Sequence, residues 1–128
     1  MSAVDNKRPV NLDLGTIRLP ITSYVSILHR VSGVILFFAV ALFLWMLESS
    51  LASEQRFNEL GALLSHPVCQ FIIWGSLAAL AYHAVAGIRH LVMDFGIGED
   101  SFASGHKSAW AAVVVAIVVI GLITWWII

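Results

Sequence analysis

Apolar residues in this chain are clustered in three long runs. The first occupies residues 22–48, and from Val31 to Leu47 it carries no charge. The second covers residues 67–94, with no Asp, Glu, Lys or Arg between Glu59 and Arg89. The third fills residues 108–128 and has no ionisable side chain. Crossing about 30 Å of hydrocarbon takes about 20 residues of helix, so each run predicts a spanning helix. Polar pieces join them: an arm over residues 1–21 and connections over 49–66 and 95–107. Pro20 ahead of Thr22 and Ser23, and Pro67 after Ser65 and His66, are helix-start signals. The sequence Asp94-Phe95-Gly96-Ile97-Gly98 is a stop signal. Leu51, Phe57, Leu60 and Leu64 are spaced for a short interfacial helix in the first connection. The expected fold class is an all-α integral membrane protein with three transmembrane helices.

Composition narrows this further. The 128 residues are 59% apolar and 12% charged; a soluble domain carries roughly 25% charged residues. The net charge of −1 argues against nucleic-acid binding, which needs a basic stripe. A single cysteine, Cys69, excludes a disulfide framework or a zinc site built from this chain alone. There is no room for a nucleotide-binding domain beside three spans, so redox machinery must be largely borrowed from partners. Residues 1–20 contain no apolar stretch of the kind a signal peptide needs. Lys7, Arg8, Arg18, Arg30, Arg89 and Lys107 fall on one side of the bilayer and only Arg56 on the other. That bias predicts a cytoplasmic N-terminus, a periplasmic 49–66 loop, a cytoplasmic 95–107 loop and a periplasmic C-terminus. Trp45, Trp110, Trp125 and Trp126 lie toward span ends, where amphipathic rings prefer the interface; Trp74 is less clearly placed.

Polar side chains inside a span are costly and mark candidate chemistry. Ser26, His29, Arg30 and Gly33 share one helical face in the first run. Counted from Thr22, Ser26 lies about 6 Å and Arg30 about 12 Å along the helix, just beneath the surface. A hydroxyl donor and a fixed cation there suit a neutral ligand whose oxygens gain negative charge. Arg30 alone is better read as snorkelling to lipid phosphates; the face as a whole is better read as a site. The second run holds His83, Gly87, Arg89 and His90. His83 and His90 share a face, about 16 Å and about 6 Å below the Asp94 end. An imidazole near mid-bilayer needs a hydrogen bond, a proton path or a metal. Gly75, Ala79, His83 and Gly87 recur every four residues, a seam that admits a bulky group or another helix. Two readings stand: a flat macrocycle ligated by His83 with Gly87 clearing its edge, or a packed helix pair with His83 bonded across it. His83 and His90 cannot both ligate one iron axially, being on one face about 10 Å apart. Residue counting also places His29 too near the surface to reach the level of His83. His66 and His106 are expected in solvated connections, and Cys69 as a small apolar filler.

Two segments carry a resemblance. Arg8-Pro9-Val10-Asn11-Leu12-Asp13-Leu14, followed by Ser26-Ile27-Leu28-His29-Arg30-Val31-Ser32-Gly33, resembles the first signature of the cytochrome b556 subunits of succinate dehydrogenase. His83-Ala84-Val85-Ala86-Gly87-Ile88-Arg89-His90-Leu91-Val92-Met93-Asp94-Phe95-Gly96 resembles the second. The likeness covers essentially the whole chain. It implies the larger of two small anchors of bacterial respiratory complex II, in the inner membrane, packed with a second anchor subunit around a haem. The partners implied are that anchor, an iron–sulfur subunit and a flavoprotein subunit, which carry the iron–sulfur clusters and FAD. Succinate oxidation would deliver electrons to ubiquinone, and this chain alone would have no dehydrogenase activity. Ser26 and Arg30 match quinone-binding positions, with Ile27, Leu14 and Leu19 lining the cavity. His83 matches the axial ligand of haem b, the other histidine coming from the second anchor. His29, Arg30 and His90 match positions near the haem propionates. The rivals are the anchor of a related quinol:fumarate reductase, a small proton-relay or transporter subunit using His83 and His90, and a purely structural tether.

Overall fold

A computed structural model describes residues 18–97 and 102–128. Four helices follow one another: α1 (Ile21–Ala52), α2 (Glu54–Leu64), α3 (Pro67–Asp94) and α4 (Phe102–Ile127). Among the described residues there are no strands. Helices α1, α3 and α4 are long and apolar enough to cross a membrane. The helical form follows from the solvent, because hydrocarbon offers backbone groups no partners outside the chain itself.

Local punctuation sets the ends. Pro20 stands at the start of α1 without a side-chain cap, and its carbonyl accepts the Ser23 amide at 3.0 Å. His66 caps α3, its Nδ1 accepting the Val68 amide at 3.2 Å, with Pro67 at the first helical turn. At the other end Gly96 adopts φ +80°. The Gly96 amide donates to Met93 O and the Ile97 amide to Val92 O, the paired bonds of a Schellman closure. Helix and apolar run are not the same length everywhere. α4 begins at Phe102, so residues 102–107 of the second connection are helical. Hydropathy marks where lipid begins, whereas helical hydrogen bonding continues into the headgroup zone. Of the short helix expected from Leu51, Phe57, Leu60 and Leu64, the last three lie in α2, whereas Leu51 belongs to the end of α1, which runs on to Ala52 before the helix breaks at Ser53. Ser53 caps α2 by accepting the Arg56 amide, and Arg56 ties it to α1 through Glu48 at 3.2 Å and Ser49 at 3.1 Å.

α3 is the central helix, packed on α4 along one side and on α1 along another. The buried apolar residues of α3 and α4 are small, with Ala81, Ala86, Ala109, Ala112 and Ala116 all buried. Small side chains let the backbones approach closely, and in lipid that packing replaces the hydrophobic drive of a soluble core. Val25, Ala86 and Ala109 form the buried centre, bordered by Ile21, Tyr82 and Val113. The large apolar residues point the other way: Phe37, Phe38, Phe71 and Trp125 are exposed. Such a molecule is apolar outside as well as inside, as a lipid-facing surface demands.

Candidate functional site

The histidines inside the spans gather where α1 crosses α3. Val25, Ser32 and Ala39, spaced by seven, are the buried residues of α1 there. His29 lies between the first two on the same stripe. Its ring stacks on that of His83, with centroids 4.1 Å apart and planes 11° from parallel. His90 meets the other side of the group, its ring centroid 5.2 Å from that of His29 and tilted by 59°. Two glycines make the space. A Cβ at Gly33 would lie 3.3 Å from His83 Cε1, and one at Gly87 would lie 3.4 Å from His29 Nε2. The chain therefore brings His29, His83 and His90 into one cluster, each ring partly buried.

This corrects the depth expected for His29. Counting from the helix ends gives about 12 Å for His29 below Ile21 and about 16 Å for His83 below Asp94. Those counts assume that the two ends are level, and the stacked rings show that they are not. The lack of a side chain at Gly87 leaves room for the imidazole of His29. Gly75, further along the same seam, faces open space.

His83 is bonded across the helix pair. Its Nδ1 lies 3.1 Å from Ser32 Oγ and 3.2 Å from the His29 carbonyl oxygen. A carbonyl only accepts, so Nδ1 carries the proton in the neutral ring. Ser32 Oγ donates its own hydrogen to the same carbonyl at 2.7 Å. Nε2 is then the unprotonated nitrogen, and among the described residues no hydrogen bond engages it. An imidazole in this state can accept a proton or ligate a metal. Among the described residues no three His, Cys, Asp or Glu groups converge as a self-contained metal site. A metal at His83 would need further ligands from a cofactor or a neighbour.

The first group splits in two. His29 and Gly33 turn toward α3, while Ser26 is half-buried and Arg30 exposed on the flank of α1. Ser26 and Arg30 lie about 100° and about 140° around the helix from Val25, at about 100° per residue. Neither side chain has a hydrogen-bond partner among the described residues. Ile27, 45% exposed, adjoins them, and Leu19, 39% exposed, sits just ahead of α1. Leu14 lies outside the described residues.

Three polar residues gain roles that the sequence did not assign. Ser32 is 5% exposed and touches the histidine pair. The Tyr82 hydroxyl donates to Val25 O at 2.7 Å and joins α3 to α1. Arg89 is 8% exposed, with Nε donating to Ser108 Oγ at 3.1 Å and Nη2 to Gly105 O at 3.3 Å. A hydroxyl within a charge-free run, three residues after a histidine, was the available signal for Ser32. Trp74 is placed by its bond to Thr124 Oγ1 at 2.7 Å. His66 and His106 are both exposed but not idle: the first caps α3 and the second accepts from Trp110 Nε1 at 3.1 Å.

Three apolar helices with a histidine cluster sunk between two of them define a small multi-pass membrane subunit built around a buried polar site. The chain matches the family described as succinate dehydrogenase/fumarate reductase transmembrane subunit over residues 4–123, and it belongs to that family. It is 41% identical over 122 residues to the succinate dehydrogenase cytochrome b556 subunit of Coxiella burnetii, covering 94% of this chain and 97% of that one. The subunit of the same name from Rickettsia felis is 36% identical, covering 88% of this chain and 86% of the relative. That from Paracoccus denitrificans is 32% identical, covering 87% and 85%. The chain is thus a membrane anchor of complex II, part of an oxidoreductase assembly.

Proposed function

We propose that this anchor holds haem b and ubiquinone between itself and a second small anchor. It tethers the flavoprotein and iron–sulfur subunits, whose FAD and clusters carry electrons from succinate. The chain itself contributes binding and positioning, not dehydrogenase chemistry. The observation that carries the reading is the state of His83: proton on Nδ1, bonded to α1, and Nε2 without a partner among the described residues. Metal-bound histidines characteristically donate their other ring N–H to a carbonyl or similar acceptor. Cytochrome b556, the name carried by the relatives, denotes a haem protein of b type.

Bound haem supplies one-electron redox chemistry at the level of the histidines. His83 would hold the haem iron from this chain through Nε2, and a histidine of the second anchor would hold it from the other subunit. His29, Arg30 and His90 offer donors and positive charge for the propionates. Quinone reduction takes two electrons and two protons, and negative charge develops on the carbonyl oxygens. The Ser26 hydroxyl donates a hydrogen bond to one oxygen and relays a proton from water. Arg30 keeps its proton at neutral pH, so it acts as fixed electrostatic support. Ile27, Leu19 and Leu14 supply the apolar wall. The Lys and Arg bias supports a bacterial inner-membrane topology with the arm over 1–21 and the 95–107 connection in the cytoplasm and 49–66 in the periplasm. Protons then arrive from the cytoplasm without crossing the bilayer.

The family description covers fumarate reductases as well, and the names of the relatives favour succinate oxidation. Direct proton transfer between His29 and His83 is disfavoured by their geometry, because stacked rings meet through their faces, whereas transfer needs nitrogens in line. The test is a redox difference spectrum of the purified complex together with its co-purifying subunits. The intact complex is expected to show a reduced b-type band and two soluble partners, and His83→Leu is expected to remove the band. An unchanged band and haem content in His83→Leu would eliminate His83 as the ligand.

A further inference from the structure

We infer that Ser32 is a positioning residue for the His83 imidazole, fixing its ring angle and raising the donor strength of Nε2; this rests on His83 being the haem ligand. A hydroxyl inside a span needs a partner, and the simplest is the carbonyl one turn back on its own helix. Ser76 does this with Ile72 O at 2.8 Å, and Thr124 with Ile120 O at 2.7 Å. Ser32 does the same with His29 O at 2.7 Å, so its own polarity is already satisfied there. What sets it apart from Ser76 is a second contact, to Nδ1 of His83 on the neighbouring helix at 3.1 Å.

That contact has a defined direction. The hydroxyl hydrogen is committed to the His29 carbonyl, so Oγ presents lone pairs to the ring. The same carbonyl lies 3.2 Å from Nδ1. Two acceptors thus converge from one turn of α1 on one nitrogen, which must carry the hydrogen. The opposite tautomer would set lone pair against lone pair at the carbonyl. Gly33, next in sequence, lets the ring edge settle against the α1 backbone. An acceptor on Nδ1–H makes the ring more electron-rich, and an electron-rich ligand favours the oxidised metal. Removing the hydroxyl leaves the carbonyl in place, so the ring loses one of two acceptors. The expected result is a higher midpoint potential for the haem and weaker haem retention. About tenfold faster haem loss is the low end of what an outer-shell partner contributes.

The test uses the whole complex with all its subunits. Ser32→Thr and Ser32→Val are the informative pair, since their side chains match in shape and only Thr keeps the hydroxyl. Midpoint potential, ferric electron-spin-resonance g-values and haem loss to an acceptor protein are measured, with dye-linked succinate oxidation reporting intact soluble subunits. Ser76→Ala is the control, because it deletes the same back-bond without touching an imidazole. Support is a positive shift, altered g-values and faster haem loss in Ser32→Val, with wild-type behaviour in Ser32→Thr and Ser76→Ala. A Val form with wild-type potential and spectrum overturns the proposal. Equal loss of assembly in the Thr and Val forms overturns it too, because packing rather than the hydroxyl would then matter. If His83→Leu retains its haem band, the ligand reading itself has failed. If that variant loses the band and the Ser32 series is flat, only the present inference has failed.

Discussion

Helix α3 carries two polar interfaces that differ in how completely they are satisfied. Toward α4, Arg89 is buried and bonded to Ser108 and Gly105, while Ser108 also donates to Gly105 O at 3.0 Å. Toward α1, His83 is bonded through one nitrogen and leaves the other without a partner, and nearby Ser26 and Arg30 have none among the described residues. Charge by itself therefore does not distinguish the two. A buried cation with its donors engaged fastens helices together. A half-buried imidazole or hydroxyl, or an exposed guanidinium beside them in the sequence, with donors or acceptors to spare is equipped to receive something from outside the chain.

Substitutions can break that distinction. The largest effect is expected at Ser26→Ala and Arg30→Leu, which should lower quinone reduction by about a hundredfold to a thousandfold, the scale of a lost preorganised donor. Dye-linked succinate oxidation should survive, and normal quinone turnover in both variants would end their assignment. Arg89→Leu should instead cost about 1–3 kcal/mol of stability, read from denaturation of the detergent-solubilised complex. Its haem spectrum and turnover per intact complex should be unchanged. Adding Ser108→Ala to Arg89→Leu should cost less than Ser108→Ala alone, as expected for partners in one network; strict additivity would argue that the α4 face is not one. The smallest effect separates two glycines of similar appearance. Gly33→Ala presses on His83 and should shift the haem bands, whereas Gly75→Ala meets open space and should be silent. Equal spectra for the two would remove the steric link between α1 and His83.

The class of fold was legible because lipid imposes it locally. A run without charge must be helical, and proline and glycine mark its ends where the backbone requires them, as at Pro67 and Gly96. The pairing of His83 with His90 on one face also followed from helical spacing. Two things did not follow, and a third followed only in part. The level of His29 depends on how the two helices are offset, which no single-helix count contains. Ser32 looked like one more small residue, because its importance comes from a ring on another helix. Arg89 stood in the same segment as the histidines, yet it sits about a third of a turn off their stripe and serves α4. Spacing alone supports that last distinction, but only the carbonyl of Gly105 and the hydroxyl of Ser108 explain where the guanidinium goes.

The length of α1 has a mechanical consequence. Its 32 residues reach about 48 Å, against about 30 Å of hydrocarbon. Even tilted by about 40° it spans about 37 Å vertically, so at least a turn stands proud of the lipid tails. That overhang carries Glu48, Ser49 and Ser50 and is braced by α2 through Arg56. A helix longer than the hydrocarbon is thick can meet bilayers of unequal thickness by tilting or by exposing more or less of its polar end.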